Sequence, residues 1–293
     1  MKKVIICGLG AVGLTFGTKL NKCKEIDLKV LVDKVRLEKY AKNRPIFNGE
    51  EQAFQYILPE QAKETADLII IATKFTGLES AISYIKGFVG GNTKIISLIN
   101  GISSEEIISA VYPDAKVLKS YFIGHSAVRV DNKVTQDGIG EIVFEGDETV
   151  EKIFKLSGIN YSIPENIDYS MWLKYSLNIL CNQVSAILKM TFGEMKSNKE
   201  FTIIAKKIIA EVRKIAESKG VKHCEHLEED AFCALNRMCD DGKTSMLQDI
   251  LAKRPTEVEI FAGEIIRLGE KNGIDTPYNR VLYDLIKIEE ERI

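Results

Sequence analysis

A glycine-rich loop near the N-terminus constrains the fold of this chain more than any other segment. Residues 3–8 form a short run rich in β-branched residues, and Gly8-Leu9-Gly10-Ala11-Val12-Gly13 follows at once. The residues after the loop have helical character. A G-x-G-x-x-G motif between a strand and a helix is typical of the first βα turn of a dinucleotide-binding fold.

Each part of that loop has a physical role in binding phosphate. Gly8 permits the tight turn, Gly10 lets the backbone approach a pyrophosphate, and Gly13 lets helix and strand pack closely. The first N–H groups of the helix have no partner within it and are available to phosphate oxygens. A strand-to-helix turn without a ligand is the alternative. The context favours cofactor binding by the loop residues Gly8, Leu9, Gly10, Ala11, Val12 and Gly13.

Strand and helix patterns alternate through the first half of the chain. Apolar and β-branched runs predict strands at residues 28–32, 68–72, 94–99, 116–130 and 139–145, the last two joined across a turn-rich segment at 131–140. Helical patterns cover 37–42 and 105–111, and Ser103 and Ser104 are candidate caps for the second helix. Strands that alternate with helices form parallel βαβ units. The sequence therefore predicts a Rossmann-like, doubly wound dinucleotide-binding domain at residues 1–164.

The pattern becomes helical after Pro164. Periodicity predicts helices at residues 168–189, 200–219, 228–239, 245–252, 257–272 and 278–292. Thr276-Pro277 supplies a cap and a first-turn proline for the last helix. No strand pattern of any strength follows, so residues 165–293 are predicted to form an all-α domain. A length of 293 residues suits two domains.

Charge and apolar content exclude several classes of protein. Lys and Arg (40) nearly balance Asp and Glu (42), so the chain lacks the positive excess that binding to a phosphate backbone needs. Nucleic acid is therefore not expected as a partner. No apolar run reaches the roughly 18 residues of a membrane span, so no membrane segment is expected either. The six cysteines are dilute and lack C-x-x-C spacing, which indicates reduced thiols in a cytoplasmic protein.

Charged residues follow the second predicted strand. Asp33 lies 20 residues after Gly13, and an acid at this position commonly binds the ribose 2′-hydroxyl of NAD. Lys34 and Arg36 follow, and they could pair with the 2′-phosphate of NADP or lie in a solvated loop. Since a carboxylate repels a 2′-phosphate, the residues alone slightly favour NAD.

Two other predicted strands end in polar residues. Lys74 follows the strand at 68–72, and Asn100-Gly101 follows the strand at 94–99. Ligands of open α/β sheets bind outside the carboxyl ends of the strands, so both positions are candidate binding residues. The alternatives are a solvated lysine and a plain turn.

A polar stripe crosses an otherwise apolar helix. Lys174, Asn178 and Asn182 recur at i, i+4 and i+8, which places them on one helix face. Asn is a poor residue inside a helix, because its side chain competes for backbone hydrogen bonds. One interpretation is that the asparagines tie the helix to a neighbour while Lys174 points to water. The other is a row of donors lining a cleft, with Lys174 as a general acid, since burial lowers the pKa of a lysine.

Several further candidates carry less information. Ser245 has the spacing of a capping box, and Glu257 lies near a helix start, where the helix dipole favours a carboxylate. His125 on a predicted strand is interpreted as a core histidine. The cluster of His223, His226 and nearby cysteines has no spacing typical of zinc ligands, so no metal is expected.

These residues together resemble the ketopantoate reductase (2-dehydropantoate 2-reductase) family, and the resemblance spans nearly the whole chain. The most specific match is Trp172-Leu173-Lys174 with Asn178 and Asn182. The other matching segments are the glycine loop, Ala72-Thr73-Lys74, Ile99-Asn100-Gly101, Thr244-Ser245-Met246-Leu247-Gln248-Asp249 and Thr256-Glu257.

The resemblance implies an oxidoreductase that reduces a small 2-keto acid, 2-dehydropantoate, with NADP(H) in pantothenate and coenzyme A synthesis. Lys174 would be the general acid. Asn178, Asn182 and Ser245 would bind the substrate, and Asn100 would position both nicotinamide and substrate. The remaining residues that would bind the cofactor are Lys74, Ala127 and Glu257. The all-α domain would then supply the substrate-binding and catalytic residues.

Two departures from the family pattern keep alternatives open. Family members usually have an arginine where this chain has Asp33, so NAD(H) competes with NADP(H) as the cofactor. The family often has an asparagine before the Gly-Glu that matches Gly193-Glu194, and here Phe192 occupies that position. A paralogous reductase of another branched 2-keto acid is one alternative. A dinucleotide-sensing protein without catalysis is another, and the oligomeric state, including a homodimer, is left open.

Overall fold

A parallel sheet organises the N-terminal part of the chain. The computed structural model describes residues 1–292, apart from the side chains of His125 and Ser126, and divides the chain into the units Met1–Ile167 and Asp168–Ile293. The strands and helices of the first unit are β1 (Lys2–Cys7), α1 (Ala11–Lys22), β2 (Ile26–Leu31), α2 (Lys34–Lys42), β3 (Ile46–Phe47), β4 (Glu50–Glu51), β5 (Tyr56–Ile57), β6 (Leu68–Ile71), α3 (Leu78–Ile85), β7 (Lys94–Ser97), α4 (Ser104–Val111), β8 (Lys116–Leu118), β9 (Ser120–Val130), β10 (Lys133–Phe144), α5 (Glu148–Ser157) and β11 (Asn160–Ser162).

The six strands of the main sheet confirm the predicted Rossmann-like fold. Their order is β5-β2-β1-β6-β7-β8, and every neighbouring pair is parallel. The strand order reverses beside β1, which has β2 on one side and β6 on the other. Open α/β sheets bind ligands at such a switch point.

Cores on both faces of this sheet explain the continuous apolar runs. Along β1, Val4 and Ile6 belong to one hydrophobic cluster together with Ile70. The alternate residue Ile5 belongs to a second cluster together with Ile69. A strand covered on both faces needs apolar residues at every position, and this removes the alternation seen in half-exposed strands.

The prediction of a long turn at 131–140 was wrong. Strands β9 and β10 form an antiparallel hairpin in which Val130 pairs with Lys133, so the turn consists of Asp131 and Asn132. Gly138 and Gly140 have positive φ angles of 81° and 73°, but they lie at a register shift within β10. Glycines mark strand bulges as well as turns, and the local sequence does not distinguish the two. The hairpin belongs to a second sheet of order β11-β10-β3-β4, which we had not predicted.

The second unit is helical, as predicted. No strand occurs at residues 168–292, the part of this unit that the structure describes. Its helices are α6 (Ile167–Leu188), α7 (Phe192–Ser197), α8 (Lys199–Ser218), α9 (Leu227–Asn236), α10 (Ser245–Leu251), α11 (Ala262–Asn272) and α12 (Pro277–Glu290). The predicted helix at 257–272 is broken, because Phe261 has φ −102° and ψ −99° and separates a 3₁₀ turn from α11. None of the described helices is long and apolar enough to cross a membrane.

Two predicted caps are absent, and a distant carboxylate replaces one of them. Neither the Ser103 side chain before α4 nor the Thr276 side chain before α12 makes a capping hydrogen bond. At the start of α12, the buried Glu211 of α8 accepts hydrogen bonds from Tyr278 N at 2.8 Å and from Asn279 N at 3.0 Å. A carboxylate is favoured there by the unpaired N–H groups and by the helix dipole. A cap supplied by another helix leaves no local sequence pattern.

Candidate active site

The predicted cofactor-binding residues lie at one edge of the main sheet. Strands β2, β1, β6 and β7 end at the same level, because Cys7 pairs with Leu31 and Ile71, and Ile71 pairs with Ser97. The residues that follow these four strand ends are Asp33, Gly8, Lys74 and Asn100. Because all four strands are parallel, the structure brings these residues to the carboxyl edge, where ligands of such sheets bind.

Two glycines of the loop are required by the packing of the protein itself. Gly8 has a φ of +102°, and a Cβ atom there would lie 2.7 Å from the carbonyl oxygen of Ala72. A Cβ atom on Gly13 would lie 1.9 Å from the carbonyl oxygen of Gly8. Any larger residue at either position would force the backbone apart.

Gly10 differs from the other two glycines of the motif. The nearest atom to a Cβ built there is the carbonyl oxygen of Ala72 at 3.9 Å, so the space beside Gly10 is open. Gly10, the residue before α1, has no side chain that could cap the helix, and the first turn contains no acidic residue. The first N–H groups of α1 therefore carry an uncompensated partial positive charge. An open cradle with these donors fits the diphosphate of a dinucleotide.

Asp33 caps helix α2, and Lys34 and Arg36, for which a solvated loop had been the alternative, lie in the first turn of this helix. The Asp33 side chain accepts a hydrogen bond from Arg36 N at 2.7 Å and also pairs with the Arg36 guanidinium. This cap starts α2 at Lys34, three residues before the predicted start of 37. The Lys34 side chain is 78% exposed, so water screens most of its charge. Its Nζ lies 3.7 Å from Glu60 Oε1. The Asp33 carboxylate thus restrains Arg36, one of the two candidates for pairing with a 2′-phosphate.

The polar stripe lies on α6, whose rotation is set by a buried tyrosine. The single hydroxyl hydrogen of Tyr175 is shared between the carbonyl oxygens of Ile260 and Phe261, both 2.9 Å from the hydroxyl oxygen. Burial raises the pKa of Tyr175 well above its usual value, so it stays a neutral donor. With Tyr175 buried on one side, Lys174 and Asn178 are left only half-buried.

Both polar atoms of the Asn182 side chain form hydrogen bonds within the protein. Its Oδ1 accepts hydrogen bonds from Ser245 Oγ at 3.2 Å and Met246 N at 3.1 Å. Its Nδ2 donates to the carbonyl oxygen of Asn178 at 3.0 Å, and the side chain is 3% exposed. This geometry favours the interpretation that Asn182 ties its helix to a neighbour, here α10.

Thr244, not Ser245, caps α10. Thr244 Oγ1 accepts a hydrogen bond from Leu247 N at 3.2 Å and shares a second with Ser185 Oγ at 2.7 Å. Ser245 lies at the first helical position and donates to Asn182. Adjacent Thr and Ser both suit a cap, so the local sequence did not decide between them. Sequence reasoning also missed the Ser185–Thr244 pair, because its two members are 59 residues apart.

The other predicted residues lie elsewhere in the two units. Glu257 directly precedes the 3₁₀ turn Val258–Ile260. Ala127 is half-buried on β9, where it pairs with Gln136, and the side chain of His125 lies outside the described residues. Within the part of the chain that the structure describes, no group of three or more His, Cys, Asp or Glu residues could hold a metal ion.

The six cysteines are all free thiols. Burial raises the pKa of Cys7, next to the glycine loop, to about 12, and it also raises the pKa of Cys181 on α6. A thiol with a raised pKa stays protonated and is a poor nucleophile. Neither of these cysteines is therefore a candidate for thiolate chemistry.

Comparison with known proteins identifies the same family in both units. The family model described as Ketopantoate reductase PanE/ApbA matches residues 4–147, and Ketopantoate reductase PanE/ApbA C terminal matches residues 166–290. The chain is similar to the 2-dehydropantoate 2-reductase of Streptococcus pyogenes, with 26% identity over 98% of this chain and 97% of that protein. It is also similar to the 2-dehydropantoate 2-reductase of Lactococcus lactis, with 27% identity over 99% of this chain and 98% of that protein.

A solved structure has the same fold along its whole length. The complex of D-mandelate dehydrogenase with NADH matches with a TM-score of 0.86 and 24% identity, and the match covers 99% of each chain. At this identity, the likeness concerns the fold alone. It agrees with a Rossmann-like domain followed by a helical one.

Substitution of Asn182 and of Asn178 tests whether each asparagine of the polar stripe stabilises the fold. We expect Asn182→Ala to lower the free energy of unfolding by about 2 kcal/mol, because Met246 N and Ser245 Oγ lose a buried acceptor. Asn178→Ala is the matched control on the same helix face, and its backbone carbonyl still accepts a hydrogen bond at position 178. We expect it to change the free energy of unfolding by less than about 0.5 kcal/mol. Urea unfolding measures both, and equal losses would contradict the assignment of Asn182 to the fold.

Proposed function

This chain belongs to the ketopantoate reductase family of oxidoreductases, and we propose that it reduces 2-dehydropantoate to pantoate with a nicotinamide dinucleotide. The observation that carries the proposal is the half-buried face of α6, which presents Lys174 and Asn178 one turn apart. The open glycine loop of the first unit supports the cofactor part of the proposal. Six free thiols support a cytoplasmic location.

The proposed chemistry needs a hydride and a proton. A nicotinamide dinucleotide, when bound, would supply the hydride for the carbonyl carbon of the 2-keto acid. Lys174 in its ammonium form donates a proton from Nζ to the carbonyl oxygen, which becomes the hydroxyl of the product. The neutral amine then takes a proton from water. Tyr175, the next residue, anchors α6 to two backbone carbonyls, and this restrains the helix that carries Lys174.

The hydrogen bonds around Ser245 narrow its proposed role. Ser245 Oγ donates its hydrogen to Asn182 Oδ1, so its lone pairs remain available to accept. An acceptor suits the hydroxyl group of 2-dehydropantoate, whereas a carboxylate needs a donor. We propose that the Asn178 amide donates a hydrogen bond to the carboxylate of the substrate. Asn182 then acts as a positioning residue, because it orients Ser245. Asn100, Lys74, Ala127 and Glu257 remain proposed binding residues.

A second candidate function is supported by Phe192. Its ring lies against Gly242, where an added Cβ would come within 2.8 Å of Phe192 Cδ2. The family often has an asparagine at this position, so this chain presents an apolar ring in place of an amide. A related 2-keto acid with a more apolar branch is therefore the alternative substrate.

Substrate choice can be measured by NAD(P)H absorbance with 2-dehydropantoate and with 2-oxoisovalerate, which lacks the hydroxymethyl group. We expect kcat/KM for the hydroxylated acid to be at least about tenfold higher, since Ser245 would otherwise lose a hydrogen bond. Phe192→Asn should widen this ratio and Phe192→Leu, the apolar control, should not. A preference for 2-oxoisovalerate supports the second candidate function, and no turnover with either acid refutes a 2-keto acid reductase.

The general-acid role of Lys174 can be tested by Lys174→Met. We expect kcat to fall by about 10²- to 10⁴-fold, the usual contribution of a positioned acid. The dissociation constants of NADH and NADPH should stay within about twofold, because the lysine acts on the substrate oxygen. Lys189→Met, just after the same helix, serves as the control and should keep wild-type turnover. Wild-type turnover in Lys174→Met would rule out this role.

The choice between NADH and NADPH is proposed to depend on the Asp33 carboxylate. Asp33→Asn keeps a residue that caps helices but removes the charge and loosens Arg36. We expect it to weaken NADH binding and strengthen NADPH binding, changing the ratio of the two dissociation constants about tenfold. Fluorescence titration measures both constants. The exposed Glu38→Gln on α2 is the control, and equal effects of Asp33→Asn on the two cofactors would contradict the ribose role.

A further inference from the structure

Arg129 of β9 reaches the glycine loop from a distant part of the chain. Its Nη1 donates to the carbonyl oxygen of Leu9 at 3.1 Å, across 120 residues of sequence. Its Nε donates to the carbonyl oxygen of Asp131 at 2.9 Å, in the turn of its own hairpin. The half-buried guanidinium is thereby held between two backbone carbonyls, one of them in the loop itself.

The positive charge of this guanidinium has no ion-pair partner among the described residues. No carboxylate among the residues that the structure describes forms an ion pair with Arg129, and both of its bonds go to uncharged carbonyls. A guanidinium has five N–H donors, so three remain after these two bonds. Arg129 therefore has both the charge and the donors to bind an anion beside the loop.

A second contact holds the hairpin against α1, the helix that follows the glycine loop. Thr15 Oγ1 of α1 donates to Gln136 Oε1 of β10 at 2.7 Å. Gln136 N in turn donates to Asn48 Oδ1 at 2.8 Å, and Gln136 Nε2 donates to the carbonyl oxygen of Gly138 at 2.9 Å. Since the hairpin is joined once to the loop, at Leu9, and once to α1, at Thr15, the position of Arg129 relative to the loop is set before any ligand binds.

The loop by itself lacks the charge that a diphosphate calls for. The N-terminus of α1 contributes roughly half a positive charge through the helix dipole. Its first turn, Ala11 to Leu14, contains no basic residue. A dinucleotide diphosphate carries two negative charges, so a full positive charge nearby strengthens binding.

We propose that Arg129 binds the diphosphate of the dinucleotide and is a cofactor-binding residue of this protein. The inference rests on the proposed dinucleotide-dependent function and adds a residue from outside the glycine motif. Arg129 shapes the loop through Leu9 and binds the phosphates through its remaining donors. A structural tether that holds Leu9 without touching phosphate is the competing role.

Charge and tether can be separated by two substitutions. Arg129→Lys keeps the positive charge, whereas Arg129→Gln keeps a donor for Leu9 but removes the charge. Calorimetric titration with ADP-ribose, NADH, NADPH and adenosine measures the four dissociation constants without requiring turnover. We expect Arg129→Gln to weaken the three diphosphate ligands about ten- to hundredfold and to leave adenosine unchanged. Arg129→Lys should recover most of the affinity.

The control is Arg44→Gln, which removes another arginine of the same unit, one that pairs with Glu51 at 3.2 Å. It should leave all four dissociation constants unchanged. If Arg129→Gln keeps wild-type affinity, or weakens adenosine as much as ADP-ribose, the phosphate role is wrong. If the wild-type chain binds none of the three diphosphate ligands, the proposed dinucleotide function fails, and the inference fails with it.

Discussion

Helix α1 packs against its own loop so closely that no side chain fits at Gly13. The missing Cβ atom lets the helix lie against the carbonyl of Gly8, and Gly8 in turn lies against Ala72 at the end of β6. These approaches place the start of α1 at the carboxyl edge of the sheet, beside the switch point in strand order. The cofactor-binding half of the proposed function depends on this packing.

The cations of the proposed site are local, while the chain as a whole has a formal charge of −2. Arg129 is held against the glycine loop, and Arg36 is restrained by Asp33. Anionic ligands would therefore be bound by individually placed groups and not by the field of a positive surface. This explains how a nearly neutral composition is compatible with an anionic cofactor and an anionic substrate.

The polar stripe on the helix that carries Lys174 contains two asparagines in different surroundings. Asn182 is buried and bonded to α10, so it stabilises the fold and positions Ser245. Asn178, one turn earlier, is half-buried and keeps its amide for the proposed substrate. The same residue type at the same helical spacing thus differs in burial and bonding, because Asn182 reaches Ser245 and Met246 of α10.

The sequence by itself determined the fold class, the helical second half and the glycine loop, because hydrophobic periodicity and a glycine motif are properties of neighbouring residues. The strands at 68–72 and 94–99 and most of the helices could be predicted for the same reason. Only the tertiary structure decided which side chains cap α10 and α12, where the hairpin turns, and that Arg129 meets Leu9. Each of these depends on a contact between segments distant in sequence, or on a choice between adjacent residues of equal propensity, and neither leaves a local pattern to read.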